Sequence, residues 1–324
     1  MDLVNGQFKN KNVLITGANG FIGSHIVQRM VSEGARVSII VRENSDLWRI
    51  DEQLDDINVV KGDLKNDELV LKSVLADKPE YVFHMAAYGV DFRQQNYAEA
   101  VKSNILGTIN LLDAIRSAGG CNKMLYVGTS MQYGNKEGII DEEMKLSPAN
   151  IYGSTKAAAT LIAHQIAAEN DIPIITLIPF GVFGESEGSH KFFPHIILSI
   201  LNNKDIDLTR CEQFRDYCYI ENIVDGFLMA ALDKKFNNEM FNIGSGKINQ
   251  LKYYVDLIFQ YMETDCKPNY GVFEYRKNDL WCPQPDVSKI MNGLSWQPQI
   301  SLEDGLKRTI NWYKDNFYKY TGKR

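Results

Sequence analysis

Cysteine is scarce in this 324-residue sequence and poorly placed for a covalent or metal frame. The five thiols, Cys121, Cys211, Cys218, Cys266 and Cys282, are odd in number, scattered and without C-x-x-C spacing. That argues against a disulfide scaffold or a zinc site, so no metal is expected, and it points to a reducing compartment, the cytoplasm. A basic excess is also missing. Lys and Arg total 35 against 41 Asp and Glu, a net charge of −6. A general nucleic-acid binder carries the opposite balance, so no nucleic-acid partner is expected. No apolar run approaches the ~20 residues needed to span a bilayer. Met1 to Lys11 is polar and has no signal-peptide core. Internal repeats, low-complexity tracts and flexible linkers are absent.

What is present is an ordinary globular composition, 44% apolar and 23% charged, over a length that allows one large domain or two modest ones. The most telling stretch is Val13-Leu14-Ile15-Thr16-Gly17-Ala18-Asn19-Gly20-Phe21-Ile22-Gly23-Ser24-His25. An apolar run meets a glycine turn, and an amphipathic pattern follows (Ile22, Ile26, Val27, Met30). That spacing predicts strand, turn, helix. Gly17, Gly20 and Gly23 suit a sharp turn, a close approach to pyrophosphate, and tight packing of helix on strand. The helix start offers N–H groups to phosphates. The contacts expected along this turn are Gly17, Asn19, Gly20, Phe21, Ile22 and Gly23 with a dinucleotide.

Downstream, strands and helices alternate, which predicts an α/β fold with a parallel sheet covered on both faces. A second strand, 36–41, closes with Val41-Arg42, and Ser45 follows. An acid at this corner would bind the ribose hydroxyls of NAD, whereas Arg42 attracts a 2′-phosphate, so NADP(H) is favoured and NAD(H) remains possible. Glu43, one place later, is the rival reading, and Arg42 as a plain surface charge is a third. A third strand, 57–64, ends in Gly62-Asp63-Leu64, which sets Asp63 and Leu64 near an adenine. A fourth, 81–87, runs into Ala86 and Ala87, small enough for the backbone to pass close to a cofactor. His84 on it reads as catalytic or as a hydrogen-bonded strand-end histidine. Asn104 lies within a helix over 97–118, where a polar side chain often faces solvent. A fifth strand, 123–130, closes in Thr129 and Ser130 at the edge where open α/β sheets bind ligands.

Tyr152 and Lys156 follow, four apart on one face of an alanine-rich helix reaching about Glu169. A nearby ammonium favours the phenolate and lowers the tyrosine pKa. Such a phenol passes a proton to or from an alcohol, and Thr129 is placed to hold the oxygen beside it.

These features together resemble the extended short-chain dehydrogenase/reductase family, in its branch of nucleotide-sugar epimerases, dehydratases and 4-ketoreductases. The resemblance runs along nearly the whole chain. It is carried by Thr16-Gly17-x-x-Gly20-x-x-Gly23, Gly62-Asp63-Leu64, His84-x-Ala86-Ala87 and Asn104-x-x-Gly107-Thr108. Thr129-Ser130-x-x-Tyr133-Gly134, Tyr152-x-x-x-Lys156, Phe180-Gly181-Val182-Phe183-Gly184 and Arg215-Asp216-Tyr217 extend it, and Phe241-Asn242-Ile243-Gly244 and Leu294-Ser295-Trp296-x-Pro298 complete it. It implies a doubly wound parallel Rossmann-type sheet over 1–178, with 215–243 returning to it, and a smaller discontinuous substrate domain over 179–324. It implies Thr129, Tyr152 and Lys156 as catalytic residues, with Tyr152 and Lys156 also touching the cofactor. Ser130, Arg215 and Arg276 would meet a nucleotide-diphosphate sugar, the arginines at its diphosphate. Helices 97–118 and 152–169 would form a homodimer interface.

The departures narrow the chemistry. A 4,6-dehydratase of this branch carries Asp-Glu after the catalytic threonine, and here Ser130 and Met131 stand there. An epimerase-reductase of the fucose-synthase kind carries cysteine at the Met131 position. Ile178 and Gly181 replace an Arg and an Asn common among relatives. His190 and Lys191 lie in the variable substrate region. The expected reaction is NADPH-dependent reduction of a nucleotide-linked 4-keto-6-deoxy sugar. A 4-epimerase with tightly bound cofactor is the alternative. A cofactor-sensing protein without activity is the reading of another class, and the retained tyrosine and lysine speak against it.

Overall fold

The computed structural model of the chain describes residues 4, 6–91, 93–275 and 281–321. Seven short apolar runs become the strands of one sheet. They are β1 (Asn12–Thr16), β2 (Arg36–Val41), β3 (Ile57–Lys61), β4 (Tyr81–His84), β5 (Lys123–Val127), β7 (Ile174–Pro179) and β11 (Glu239–Ile243). Their order is β11-β7-β5-β4-β1-β2-β3, parallel throughout. The order reverses beside β1, which opens a crevice above its carboxyl end.

Successive side chains of a strand face opposite ways, so each strand feeds two cores. Val13 and Ile15 of β1 enter one core, with Ile26 of α1 (Phe21–Ser32) and Val224 of α7 (Ile220–Leu232). Leu14 enters the other, under α2 (Asp67–Asp77), α4 (Gly107–Ser117) and α5 (Ile151–Glu169). Ala159, Ala163 and Ala167 form the inward stripe of α5 and let its backbone lie close to the sheet.

The helix expected over 97–118 is three pieces: α3 (Tyr97–Val101), a π-helical turn (Lys102–Leu106) and α4. Asn104 sits in the π turn and is 1% exposed, so it points inward and not to solvent. π turns gather at functional sites.

Smaller sheets form the other side of the crevice. β8 (Gly181–Phe183), β10 (Phe214–Tyr219) and β12 (Ile248–Gln250) make a three-stranded sheet. β9 (Ile206–Asp207) pairs β13 (Pro268–Asn269), and β6 (Gly138–Ile140) pairs β14 (Pro283–Pro285). The expected return of 215–243 to the main sheet needs correction at its start. β11 pairs β7, and α7 packs on α1 and β5, but β10 pairs β8 and β12. The place beside β7 is filled by β5 and β11, and β10 instead takes its hydrogen bonds from β8 on one side and β12 on the other. Among the described residues no helix is long and apolar enough to cross a membrane.

Candidate active site

β1 runs straight into the glycine turn. Gly17 has φ +68°, and a Cβ on it would meet the Ala86 backbone nitrogen at 2.5 Å. A Cβ on Gly23 would lie 2.2 Å from the Gly17 carbonyl oxygen. Turn, helix and the loop after β4 therefore close on one another with no side chain between them. Gly20 caps α1 through the backbone alone, and the first turn carries no acid. The N–H groups around Phe21, Ile22 and Gly23 are left for an anion. This donor set fits the pyrophosphate of a dinucleotide. Asn19 closes the rim, its carbonyl accepting from Arg49 Nη1 at 3.2 Å. Ala86 N–H points at Thr16 Oγ1 (3.4 Å), Ala87 is half-buried beside it, and Leu64 is buried below. Asp63 accepts from Lys65 N–H at 3.0 Å and pairs with its ammonium at 3.3 Å. At the end of β2, Arg42 and Glu43 are both exposed, and Ser45 N–H donates back to the Arg42 carbonyl. All three readings of that corner stand.

Thr129, Tyr152 and Lys156, the trio expected to be catalytic, lie around the carboxyl end of β5 and the start of α5. Thr129 caps a short 3₁₀ turn (Ser130–Gln132), accepting from Met131 N–H at 3.3 Å, and its hydroxyl is near enough to the Tyr152 phenol to favour the phenolate. α5 begins where Asn150 Oδ1 accepts from Gly153 N–H at 2.8 Å, which sets Tyr152 and Lys156 one turn apart. Lys156 is fully buried. Its ammonium donates to the Tyr126 hydroxyl at 2.7 Å and lies 3.9 Å from that ring's centre. Burial pushes Lys156 down to about 7. Burial also pushes Tyr152 up to about 12, against the effect of the Thr129 hydroxyl. Tyr152 keeps an edge open to the cleft, but atoms crowd its hydroxyl. The expected lowering of Tyr152 by Lys156 is thus not met, because the ammonium is held by Tyr126 and desolvation dominates.

A polar frame stands behind the trio. Asn104 accepts from Tyr88 N–H at 2.7 Å, donates to the Tyr88 carbonyl at 2.9 Å, and donates to Thr155 Oγ1 at 2.9 Å. It ties the loop after β4 to the catalytic helix. Gly89, at φ +96° in that loop, lies against Tyr152, with no room to spare for a Cβ (3.3 Å). His84 lies between Thr16 Oγ1 at 2.6 Å and Thr108 Oγ1 at 2.9 Å. Burial, helped by the Lys156 charge, lowers it to about 3, so it is neutral and hydrogen-bonded, the second of its two readings. The i, i+4 spacing of Asn104 and Thr108 already held the signal for one shared face. Nothing in the apolar run 124–127 singles out Tyr126.

On the substrate side, Arg215 is half-buried on β10 with Nη1 donating to the Phe214 carbonyl at 2.7 Å. Arg276 lies outside the described residues. Ser130 and Met131 flank Thr129, and both are half-buried. Ile178 is fully buried with Tyr133 and Ile140, which takes that departure out of the site. The loop at 88–91 meets the loop at 188–191: Lys191 Nζ donates to the Val90 carbonyl at 3.2 Å, and His190 stands 3.9 Å from Asp91. Arg49, which sequence reasoning passed over, links the glycine turn to the Ser186 carbonyl at 2.8 Å. Among the described residues, no three His, Cys, Asp or Glu gather to hold a metal.

Known proteins resemble this chain in sequence and fold. The family model described as "NAD dependent epimerase/dehydratase family" matches residues 13–244. A UDP-glucuronate 4-epimerase of Thermodesulfobacterium geofontis is 29% identical, over 94% of this chain and 96% of that one. The trifunctional UDP-glucose 4,6-dehydratase/UDP-4-keto-6-deoxy-D-glucose 3,5-epimerase/UDP-4-keto-L-rhamnose-reductase RHM2 of Arabidopsis thaliana is 29% identical over 95% of this chain, which spans only 48% of that enzyme. The structure of a UDP-glucose 4-epimerase of Thermotoga maritima with UDP-glucose superposes with a TM-score of 0.87 at 26% identity, covering 94% of this chain and 99% of that one. MoeE5 in complex with UDP-glucose and NAD superposes with a TM-score of 0.84 at 25% identity, covering 94% and 99%. With a glycine cradle, a Thr–Tyr–Lys trio and a family match over most of its length, the chain belongs to the NAD-dependent epimerase/dehydratase family of enzymes.

Proposed function

We propose that the protein reduces a nucleotide-linked 4-keto-6-deoxy sugar to its 4-hydroxy form with NADPH. The observation that carries this reading is the placement of Tyr152 at the start of α5, with Thr129 capping the turn after β5 and Lys156 one helical turn on. Held at about 12, the phenol keeps its proton at neutral pH. It is set to give that proton to a developing alkoxide, which is the direction of reduction. When bound, the nicotinamide supplies the hydride. Thr129 holds the ketone oxygen, and Lys156 stabilises the phenolate left behind. Met131 cannot act as an acid or base, so the site lacks the pair that water elimination needs. Arg42, exposed at the end of β2, supports the choice of NADPH over NADH.

A 4-epimerase is the second reading, favoured by the 4-epimerases among the relatives. It uses the same trio and consumes no net cofactor. Arg215, with Arg276, is proposed for the diphosphate and Ser130 for the sugar. We place the cofactor in the half built on 1–178 and the substrate in the half built mainly on 179–324. The five unpaired cysteines support a cytoplasmic setting. Tyr97, Val101, Leu106, Ile151 and Leu161 are exposed along α3, the π turn and α5, and they support a homodimer through that face.

Absorbance at 340 nm tests the reading. Purified protein with NADPH and a panel of nucleotide-linked 4-keto-6-deoxy sugars should lose absorbance in proportion to sugar consumed, faster than with NADH. Inversion of a nucleotide sugar with no loss of absorbance would instead establish the epimerase.

A further inference from the structure

The buried side of Lys156 carries an arrangement that the reaction itself does not call for. Four polar side chains, Tyr126, Thr108, His84 and Thr16, run in a line behind the lysine, each at most 1% exposed. Lys156 Nζ is 2.7 Å from the Tyr126 hydroxyl, and Thr108 is the next polar side chain along. Thr108 Oγ1 donates to the Asn104 carbonyl at 2.7 Å and meets His84 Nε2 at 2.9 Å. His84 Nδ1 meets Thr16 Oγ1 at 2.6 Å.

The direction of these hydrogen bonds follows from the two ends of the line. A carbonyl only accepts, so the single Thr108 proton goes to Asn104. Thr108 Oγ1 must then accept from His84 Nε2–H. His84, protonated on Nε2, accepts at Nδ1 from Thr16. An ammonium has only donors, so Lys156 gives the hydrogen bond and the Tyr126 oxygen accepts it. The line ends on a carbonyl that cannot pass a proton on, so it is an anchor and not a wire.

We propose that Tyr126 is the positioning residue of the catalytic lysine, its hydroxyl oxygen accepting from Lys156 and holding the ammonium charged in a dry site. This rests on the reading of Lys156 as catalytic. The groups facing the lysine are His84 from β4, Tyr126 from β5 and Tyr152 on its own helix. All three are neutral at neutral pH: His84 is lowered to about 3, Tyr152 is raised to about 12, and burial raises Tyr126 as well. The ammonium therefore has no counter-ion among these neighbours, and the Tyr126 oxygen opposes the burial that lowers it to about 7. An acceptor aimed at the charged form favours that form.

The test is a ¹³C-lysine NMR titration of the full-length protein, with the Lys156 signal assigned by its loss in Lys156→Arg. It needs no substrate, so a wrong substrate leaves its outcome intact. Tyr126→Phe keeps the ring and removes the oxygen. Its Lys156 midpoint should fall by about one pH unit below wild type, the effect of losing one hydrogen bond to a charge. In turnover, kcat at neutral pH should fall about fivefold with KM for the sugar unchanged, as the charged fraction drops. Tyr126→Met removes the same oxygen with a flexible apolar chain that fills the space, and should lower the midpoint as far. If Tyr126→Phe does not fold, Tyr126→Met decides alone. An unchanged midpoint in folded Tyr126→Phe, or in folded Tyr126→Met, overturns the proposal even if Tm falls.

Discussion

Gly23 and Gly17 stand so close that a Cβ on Gly23 would sit 2.2 Å from the Gly17 carbonyl oxygen and 2.8 Å from its carbonyl carbon. That distance is below any real contact, and the obstacle is backbone. It reverses a usual expectation, since Gly→Ala inside a helix ordinarily stabilises by about 0.5–1 kcal/mol. Gly23→Ala must instead lever α1 away from the turn proposed to cradle the pyrophosphate. Dinucleotide affinity should fall at least ~10-fold, a loss of about 1.4 kcal/mol, and Tm should drop. Titration calorimetry with NAD(H) and NADP(H) reads the first and differential scanning calorimetry the second. Unchanged affinity would remove the turn from the cofactor site.

The two faces of the fold differ in how far the sequence alone reveals them. The seven main strands are legible because apolar runs end in turn residues, and the Gly17 turn is legible because its spacing has few other uses. Tyr152 and Lys156 are found by their helical spacing. Tyr126 is invisible because in a strand buried on both faces every residue reads as core, and only the fold brings its hydroxyl to Lys156. Arg49 is hidden for another reason: its partners, Asn19 and Ser186, lie 30 and 137 residues away. β10 misleads because its pattern is that of a strand, while its sheet depends on which edge is free.

Tyr152→Phe separates chemistry from binding. The ring stays packed against Gly89, and only the proton donor goes. We expect kcat to fall about 10²–10⁴-fold, the usual worth of a positioned acid, with the affinity for cofactor unchanged. A variant that keeps wild-type turnover would exclude Tyr152 as the acid.

Arg42→Ala tests the cofactor assignment. Arg42 is exposed, so the substitution disturbs little of the core. If it reads the 2′-phosphate, the ratio of kcat/KM for NADPH over NADH should fall about 10- to 100-fold, the loss of about 1.4–2.7 kcal/mol from one charge-assisted contact. Steady-state rates with the two cofactors supply the number. A ratio that does not move hands the corner to Glu43 and NADH.

Acid should unfold the protein through its buried histidines. Desolvation lowers His84 to about 3 and His25 to about 4 from the ordinary 6.5. Between those values and 6.5 the unfolded chain binds protons that the folded one refuses, so stability falls as pH drops through that window. Glu187 works the other way: burial raises its carboxyl, and stability is lost as pH rises above the ordinary carboxylate range. Tm should decline by about 10 °C from pH 6.5 to 4. His84→Gln should flatten that slope by close to one proton. An equal slope in the variant would mean that His84 takes up its proton in the folded state as well.

The α5 face makes the last prediction. Leu161 is 58% exposed, and Tyr97 on α3 is 68% exposed. Between them Val101 (44%) and Leu106 (42%) extend the apolar strip, on helices whose other sides are committed to the sheet. A strip of this kind left to water costs about 25 cal/mol per Å² of apolar surface, and a second copy turned by a two-fold axis covers it with itself. Light scattering should therefore give a dimer for the wild-type chain. Leu161→Glu puts a charge opposite its own copy or a neighbour of it, and it should give a monomer with unaltered helix content. The monomer should still bind dinucleotide, because the glycine turn lies across the sheet from α5. A wild-type chain that is monomeric at tens of micromolar would refute the dimer, and a Leu161→Glu variant that stays dimeric would move the interface elsewhere.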